Sequence, residues 1–564
     1  MKTMKKCDLV MKGGITSGIV YPGAVCELAK EYQFANIGGT SAGAIAAALT
    51  AAAEYRRQNG STAGFDALAR LPKWLAESDG DRSRLLSLFT PSAETESLFE
   101  LALAFLASPF RALGVLASRF HRYGGMVLAI ATILLGIEVV SLNRWGAFII
   151  IGVTIVVAAA GFLVAGLLEA VVSALHTLPK NGFGLCSGDV LAAWLDGKIG
   201  EVAGLDRPLT FGDLETADIH LEMMTTNLTH GRPYRLPFET KAFFFSEREM
   251  RSLFPARVVE WMLARAQRRI AAGGDMVFSL PRASDLPVVV ATRMSLSFPL
   301  LLSAVPLWAV DYGRRDRIRE PERCWFSDGG ITSNFPVHFF DAPLPRWPTF
   351  AFNLAERTTR YHTDGQGTYV PQSNRHGVLE WWSPFDSVPG FLGAIVNTMQ
   401  NWRDNMLLHL PGQRDRIGHV LLAANEGGLN LTMDPATIES VAARGAEAAG
   451  KLRVQFGEEP PADVTLTWRN HKWVRFLAFM PALEEALESW NRAFNDRTAE
   501  PSFNDVLRDG ALPSYRISAS ERAAMRDSSL AFLSHIQANF GTRPFRKPAK
   551  RPRPHPALRA MPRE

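Results

Sequence analysis

Three short stretches of this chain carry residues that could do chemistry together. The first is Gly39-Thr40-Ser41-Ala42-Gly43, a G-x-S-x-G pentapeptide. A short apolar run, 34–37, precedes it and an alanine-rich segment, 44–56, follows, so the serine is predicted at a sharp turn between a strand and a helix. At such an elbow the Oγ is exposed and the flanking glycines, Gly39 and Gly43, let strand and helix pack closely. The helix N-terminus behind it favours developing negative charge. The chemistry would be attack of an activated hydroxyl on an acyl carbon. The second stretch is Lys12-Gly13-Gly14-Ile15-Thr16-Ser17-Gly18, after the apolar run 7–11. Its small residues leave backbone amides to point at an anion, which in a hydrolase would be the tetrahedral oxyanion. A phosphate-binding loop is a rival reading, but neither a G-x-G-x-x-G nor a Walker pattern is present; a tight turn without a ligand is the plainer one. The third stretch is Ser327-Asp328-Gly329-Gly330. An Asp before glycines often makes only an Asx turn. Here the apolar Cys324-Trp325-Phe326 reads as a strand that delivers the carboxylate to the sheet edge where Ser41 sits. GGITS occurs at 13–17 and again at 329–333, too short a match to define a repeat.

The elements that must position these groups follow an α/β order. Strand, glycine turn, helix (23–33), strand, elbow and helix succeed one another over the first 56 residues, the pattern of a parallel sheet. Leu286–Ala291 (LPVVVA) and Pro348–Leu354 (PTFAFNL) read as further buried strands. Residues 357–376 read as a polar loop, 380–410 and 434–456 as helices, and 457–540 as mostly helical.

In order and character the three motifs resemble the patatin-like phospholipase family, which has an N-terminal glycine-rich oxyanion loop, a G-x-S-x-G elbow and a distant D-G-G or D-G-A. Ala291–Pro299 (ATRMSLSFP) looks like the family's helix between elbow and Asp, and Asn334-Phe335-Pro336 like its N-x-P continuation. Apart from an inserted segment, the resemblance covers residues 7 to about 456. It implies a three-layer α/β fold with a mainly parallel sheet, and hydrolysis of fatty-acyl esters in membrane phospholipids or related lipids. It implies Ser41 as nucleophile and Asp328 as base, a dyad that needs no histidine, metal or cofactor, with backbone amides around Gly13, Gly14 and Ile15 as the oxyanion hole. A triad through His338 is a further option. The family loop usually reads D-G-G-G-x-R-G; here Lys12 replaces the Asp, Ile15 the third glycine and Ser17 the arginine. The backbone donors can survive these changes, whereas any role of that arginine is lost.

The inserted segment has a different character. Gly125–Val140 is apolar except for Glu138, and Gly146–Leu168 runs 23 residues without a charge. At 1.5 Å per residue the second run spans roughly 34 Å, enough for a bilayer core. The expectation is a transmembrane hairpin with helices at about 125–142 and 146–168, against the alternative of a buried hairpin in a soluble domain. Arg111, Arg119 and Arg122 before it and Lys180 after it put both outer ends, and the catalytic domain, on the cytoplasmic side. Residues 98–118 are also apolar and suited to the membrane interface.

Composition narrows the rest. Of 564 residues, 47% are hydrophobic and 21% charged, as for folded protein. The net charge of +5 is uneven: Thr542–Glu564 holds eight Lys/Arg and one Glu, so the rest of the chain sums to −2. A nucleic-acid-binding core is not indicated. Four dispersed cysteines form no CxxC pair, which fits a reducing compartment rather than a disulfide or zinc framework. Asp8, Lys12 and glycines interrupt the N-terminal stretch, so no cleaved signal peptide is read. The domain reading is 1–95 and 180–456 as two parts of one catalytic domain, 96–179 as the membrane-associated insertion, 457–541 as a helical extension and 542–564 as a basic, Pro-rich, disordered tail. The expected partner is membrane lipid; the sequence does not reach oligomeric state. A membrane-bound scaffold with little activity, acyl transfer to an alcohol, and a different serine hydrolase such as a peptidase stay open as alternatives.

Overall fold

The apolar runs around Ser41 form the middle of a sheet. The computed structural model describes residues 4–79, 82–139, 144–272, 274–313, 320–357, 367–373, 384–423, 425–428, 430–460, 464–494, 496, 498, 501–508, 514, 517–540, 543–546 and 552–558. Strand β1 (Lys5–Met11) leads through the glycine turn and helix α1 (Val20–Leu28) to β2 (Tyr32–Gly39), and the elbow opens α2 (Ala42–Gln58). β1 and β2 are parallel, with Met11 opposite Gly39. The glycine loop and the elbow therefore leave the sheet side by side. Helix α2 can lie close because its first turn is small: a Cβ on Gly43 would sit 2.3 Å from the Met11 carbonyl oxygen.

The insertion follows as four helices, α3 (Glu96–Ala107), α4 (Pro109–Arg119), α5 (Arg122–Val139) and α6 (Arg144–Thr177). Helices α5 and α6 pack together through small residues, Gly124 against Phe162 and Gly161 against Val127. Residues 140–143, where the expected hairpin turns, lie outside the described residues. Among the described residues one helix is long and apolar enough to cross a membrane, Ile151–Thr177 within α6, and its apolar side chains are largely exposed. It extends well beyond the expected end at 168. The apolar stretch of α5, Arg122–Ile133, is shorter.

The chain then returns to the sheet with β3 (His220–Asn227), β4 (Phe243–Ser246), helix α7 (Val288–Ser295), β5 (Val305–Val310), β6 (Pro321–Asp328), β7 (Thr349–Glu356), helix α8 (Val388–Leu408), β8 (Ile417–Leu422) and helix α9 (Pro435–Gln455). Twelve described strands make one sheet, with the central order β8-β7-β1-β2-β3-β6-β5-β4. β8, β7, β1, β2 and β3 are parallel. From β3 onward the pairs β3–β6, β6–β5 and β5–β4 are antiparallel. The sheet is therefore mixed, not mainly parallel; β5 and β6 follow one another in the chain and pair antiparallel, a connection that needs no crossover helix. A second expectation also changes: LPVVVA is not a strand but the start of α7, capped by Pro287. A short, fully buried apolar run has no periodicity to separate the two, and Pro287 suits a helix start.

The two faces of the sheet are covered unequally. Leu9, Phe34, Phe350 and Phe352 pack under α1, α2, α7 and α9, while Val10, Ala351 and Ile417 pack under Phe335, Val337 and the end of α8. Helix α10 (Trp468–Phe494) joins this body through a buried contact of His471 Nδ1 with Asp415 Oδ2, 2.8 Å, and an Arg475–Asp341 ion pair of 2.9 Å. Helix α11 (Ala519–Phe540) packs on α10. The start of the basic tail is held rather than free: Arg546 donates to Glu484 at 3.0 Å and Arg543 to Glu488 at 2.5 Å. Residues 542, 547–551 and 559–564 of the tail lie outside the described residues.

Candidate active site

Ser41 occupies the turn that the pentapeptide predicts. Its φ of 55° and ψ of −130° lie where L residues rarely sit. Such a backbone stores about 1–3 kcal/mol that the surrounding packing must hold. Gly39 ends β2 and Gly43 lies in the first turn of α2. The Ser41 amide donates to Ser295 Oγ at 3.2 Å, which fastens the elbow to the end of α7.

Asp328 ends β6, directly opposite Thr225 of β3. Its Oδ1 accepts from the Gly330 amide at 2.6 Å, so the expected Asx-type turn forms and fixes the carboxylate. Its Oδ2 is buried and has no hydrogen-bond partner among the described residues. The Ser41 hydroxyl lies near enough to pull the carboxyl pKa down without closing a strict hydrogen bond, a looseness common in unliganded sites. Burial acts in the other direction and is larger. The net result is a carboxyl pushed up to about 7, with Ser41, the Gly330 amide and Arg293 each holding it lower than burial alone would. No histidine is among the groups that shift Asp328. His338 packs edge-on against Phe339 and acts electrostatically on Asp404, which gives no support to a triad.

The glycine loop arrives beside the serine. A Cβ on Gly13 would lie 2.9 Å from Ser41 Cβ and 2.2 Å from Asn334 Oδ1, so only glycine fits there. The Gly13 amide donates to the Asn334 carbonyl at 2.8 Å and is already committed. The amides of Gly14 and Ile15 have no acceptor among the described residues. Lys12, which stands where the family pattern has Asp, turns its ammonium away to Asn353 Oδ1 (2.9 Å) and the Leu354 carbonyl (3.0 Å), and burial lowers its pKa to about 8. The two GGITS segments flank the elbow: Gly13 lies against Ser41, and a Cβ on Gly329 would touch Thr40 Cγ2 at 3.3 Å.

Two charged residues that the sequence reading did not single out complete the site. Arg293 of α7 is fully buried and donates to Ser297 Oγ (2.7 Å) and to the carbonyls of Ser187 (2.8 Å) and Ser303 (2.9 Å). These bonds tie α7 to the segments that follow the insertion and precede β5. Burial lowers its pKa to about 10, and Asp328 is one of the carboxylates that counter this. A signal was present: Arg293 is the only charge between Leu286 and Pro299. Asp404 of α8 is also buried and accepts from Ser333 Oγ and the Phe335 amide, both at 2.8 Å. Between those two residues, Asn334 offers its carbonyl to the Gly13 amide and to Thr40 Oγ1 at 3.1 Å. Asp404 thus reaches both the glycine loop and the elbow through one loop.

The description "Patatin-like phospholipase" belongs to the family profile that matches residues 9–120, a span that holds the glycine loop and the elbow. The RpoH suppressor of Rhizobium meliloti (strain 1021) is 37% identical, over 85% of this chain and 86% of that protein. VipD from Legionella pneumophila aligns over 94% of this chain and 85% of its own at 13% identity and a TM-score of 0.26. ExoU with SpcU from the type III secretion system of Pseudomonas aeruginosa aligns over 95% and 80% at 16% identity and a TM-score of 0.22; neither likeness is strong enough to argue from. With the glycine loop, the elbow and the distant Asp gathered at one sheet edge, the chain belongs to the patatin-like phospholipase family.

Proposed function

We propose that this protein hydrolyses fatty-acyl ester bonds of membrane phospholipids or related lipids, through an acyl-enzyme on Ser41 with Asp328 as the base. The observation that carries the reading is the pair itself: a serine held in a strained turn beside a buried carboxylate with an open lone pair on Oδ2. Asp328 takes the hydroxyl proton as Ser41 Oγ attacks the ester carbonyl carbon. The oxyanion is received by the Gly14 and Ile15 amides; Gly13 serves only if it leaves Asn334. The intermediate collapses, the ester C–O bond breaks, and the leaving lysolipid oxygen takes the proton from Asp328. Water then attacks the acyl-enzyme, giving its proton to the same carboxylate, and fatty acid departs. Each step is balanced by these side chains and water, so the reaction calls on no metal or cofactor.

Residues 1–95 and 180–456 form, in this reading, one catalytic unit, and the insertion holds it at a bilayer. Two spans within 122–177, with the catalytic unit on the cytoplasmic side, are supported by the exposed apolar length of α6, by the packing of α5 on it and by Arg119, Arg122 and Lys180 at the base. Anchoring raises the effective concentration of an insoluble substrate. One observation favours the scaffold alternative: the committed Gly13 amide leaves the oxyanion hole one donor short. Purified protein incubated with defined phospholipid vesicles separates the readings. Free fatty acid and lysolipid in the product mixture, absent with Ser41→Ala, support the hydrolase; acyl transfer to an added alcohol without free acid, or peptide cleavage without either, sinks it.

A further inference from the structure

Helix α8 is amphipathic in the opposite sense to a helix that covers a core. Among the described residues its buried contacts lie in its last turns: Asn401 and Asp404 are buried, and Leu407 and Leu408 pack near Phe335. Its large apolar residues point away from the protein. Phe391, Leu392, Ile395, Val396, Met399 and Trp402 are between 41 and 68% exposed. At 100° per residue they fall within an arc of roughly 140°, with Gly393, Asn397, Asn401 and Asp404 on the other side. Water is a poor solvent for such a face.

We propose that the outward face of α8 lies in a phospholipid surface, and that Asp404 on its inner face makes the catalytic loop depend on that placement. The inference rests on the reading of Ser41 as a nucleophile toward membrane lipid. Charge favours lipid over a second copy of the chain. From Ser387 to Arg403 the one charged residue is Arg403, which follows Trp402 at the C-terminal end of the apolar stretch. A cation and an indole at the end of an apolar stretch complement phosphate headgroups. The coupling follows from the bonds already described. Asp404 holds Ser333 and Phe335, and Asn334 between them braces Gly13 and Thr40. A helix settled in lipid would hold that loop, with the base, the elbow and the glycine loop, in one arrangement.

The test uses full-length protein in nanodiscs of phosphatidylcholine and phosphatidylglycerol containing spin-labelled lipid. An NBD fluorophore on Met399→Cys, in a Cys26→Ala background, should be quenched about twofold or more relative to the same label on Asn59→Cys at the far end of α2. Equal quenching at the two positions overturns the proposal, as does a concentration-dependent blue shift at 399 without quenching, which would mean a second copy covers the face. Quenching at 399 together with a wild type that releases no fatty acid would leave the lipid contact standing and sink the hydrolase reading. In the second arm, Ile395→Asp with Met399→Asp should lower vesicle hydrolysis about tenfold or more and leave turnover of a soluble short-chain ester within about twofold. Parallel loss on both substrates contradicts it. Asp404→Ala should lower kcat on the soluble ester with KM unchanged. Asp404→Asn, which keeps an acceptor for the Phe335 amide, should recover part of that loss; equal loss in the two variants removes the coupling.

Discussion

The elbow region and the insertion break opposite rules of protein interiors. Around Ser41 the chain buries polar and charged groups, with Asp328 and Arg293 both inside. Along α6 it exposes apolar ones, with Val156 68% and Leu175 73% exposed. Each is unfavourable by the standards of a soluble core. On the proposed reading the buried charges make sense as a tuned base, since a carboxylate taken out of water keeps its proton to a pH where it can act on a hydroxyl. The exposed apolar helix makes sense in a solvent other than water. On the proposed reading the difference teaches that one chain can specify two solvents, and that the site sits in the part whose interior the protein itself supplies.

Substitutions at the site should fail by chemistry, those on the insertion by location. The largest effect belongs to Asp328→Asn, which should lower fatty acid release about 10³-fold. Wild-type rate should rise with pH through about 7 as Asp328 ionises, and a pH–rate profile checks this. The same shift has a stability consequence of opposite sign. A carboxyl raised by folding favours the folded state while protonated and loses that contribution as pH climbs from about 4 through about 7. Asp328→Asn should therefore melt higher than wild type at pH 8, with the gain fading toward pH 4. Gly13→Ala comes next, at about a 10²-fold loss in kcat, because its Cβ would meet Asn334 Oδ1 at 2.2 Å. Arg293→Met should move the rise of the rate to higher pH, since a buried cation that holds Asp328 down is removed. On the insertion, Val157→Arg should reduce the fraction of protein that resists alkaline extraction from membranes, at an insertion penalty of about 2.5–3.5 kcal/mol. Its turnover of a soluble ester should match wild type; a matching fall in turnover would erase the division between the two regions.

How much of this is legible in sequence differs between the same two regions. The turns at Ser41 and Asp328, with β1, β2 and α2, could be read because each has a local signature: a glycine-flanked turn, a short apolar run, an alanine-rich helix. The apolar length of α6 could be read because composition alone decides it. What could not be read depends on partners distant in sequence. LPVVVA became α7 because it is surrounded on all sides, which removes its periodicity. The Gly13 amide was expected at the oxyanion, yet it is claimed by Asn334, some 320 residues away. Arg293 and Asp404 look like ordinary charges until the fold buries them. For α8, the pattern announces two faces but not which one meets the protein.

The central claim is that Ser41 is a nucleophile activated by Asp328. Labelling with a fluorophosphonate, followed by peptide mapping, tests it most directly. The account predicts a single adduct on Ser41, absent in Ser41→Ala and formed far more slowly in Asp328→Asn while both variants stay folded. Folded wild type that takes no label, or Ser41→Ala that labels as wild type does, would contradict it.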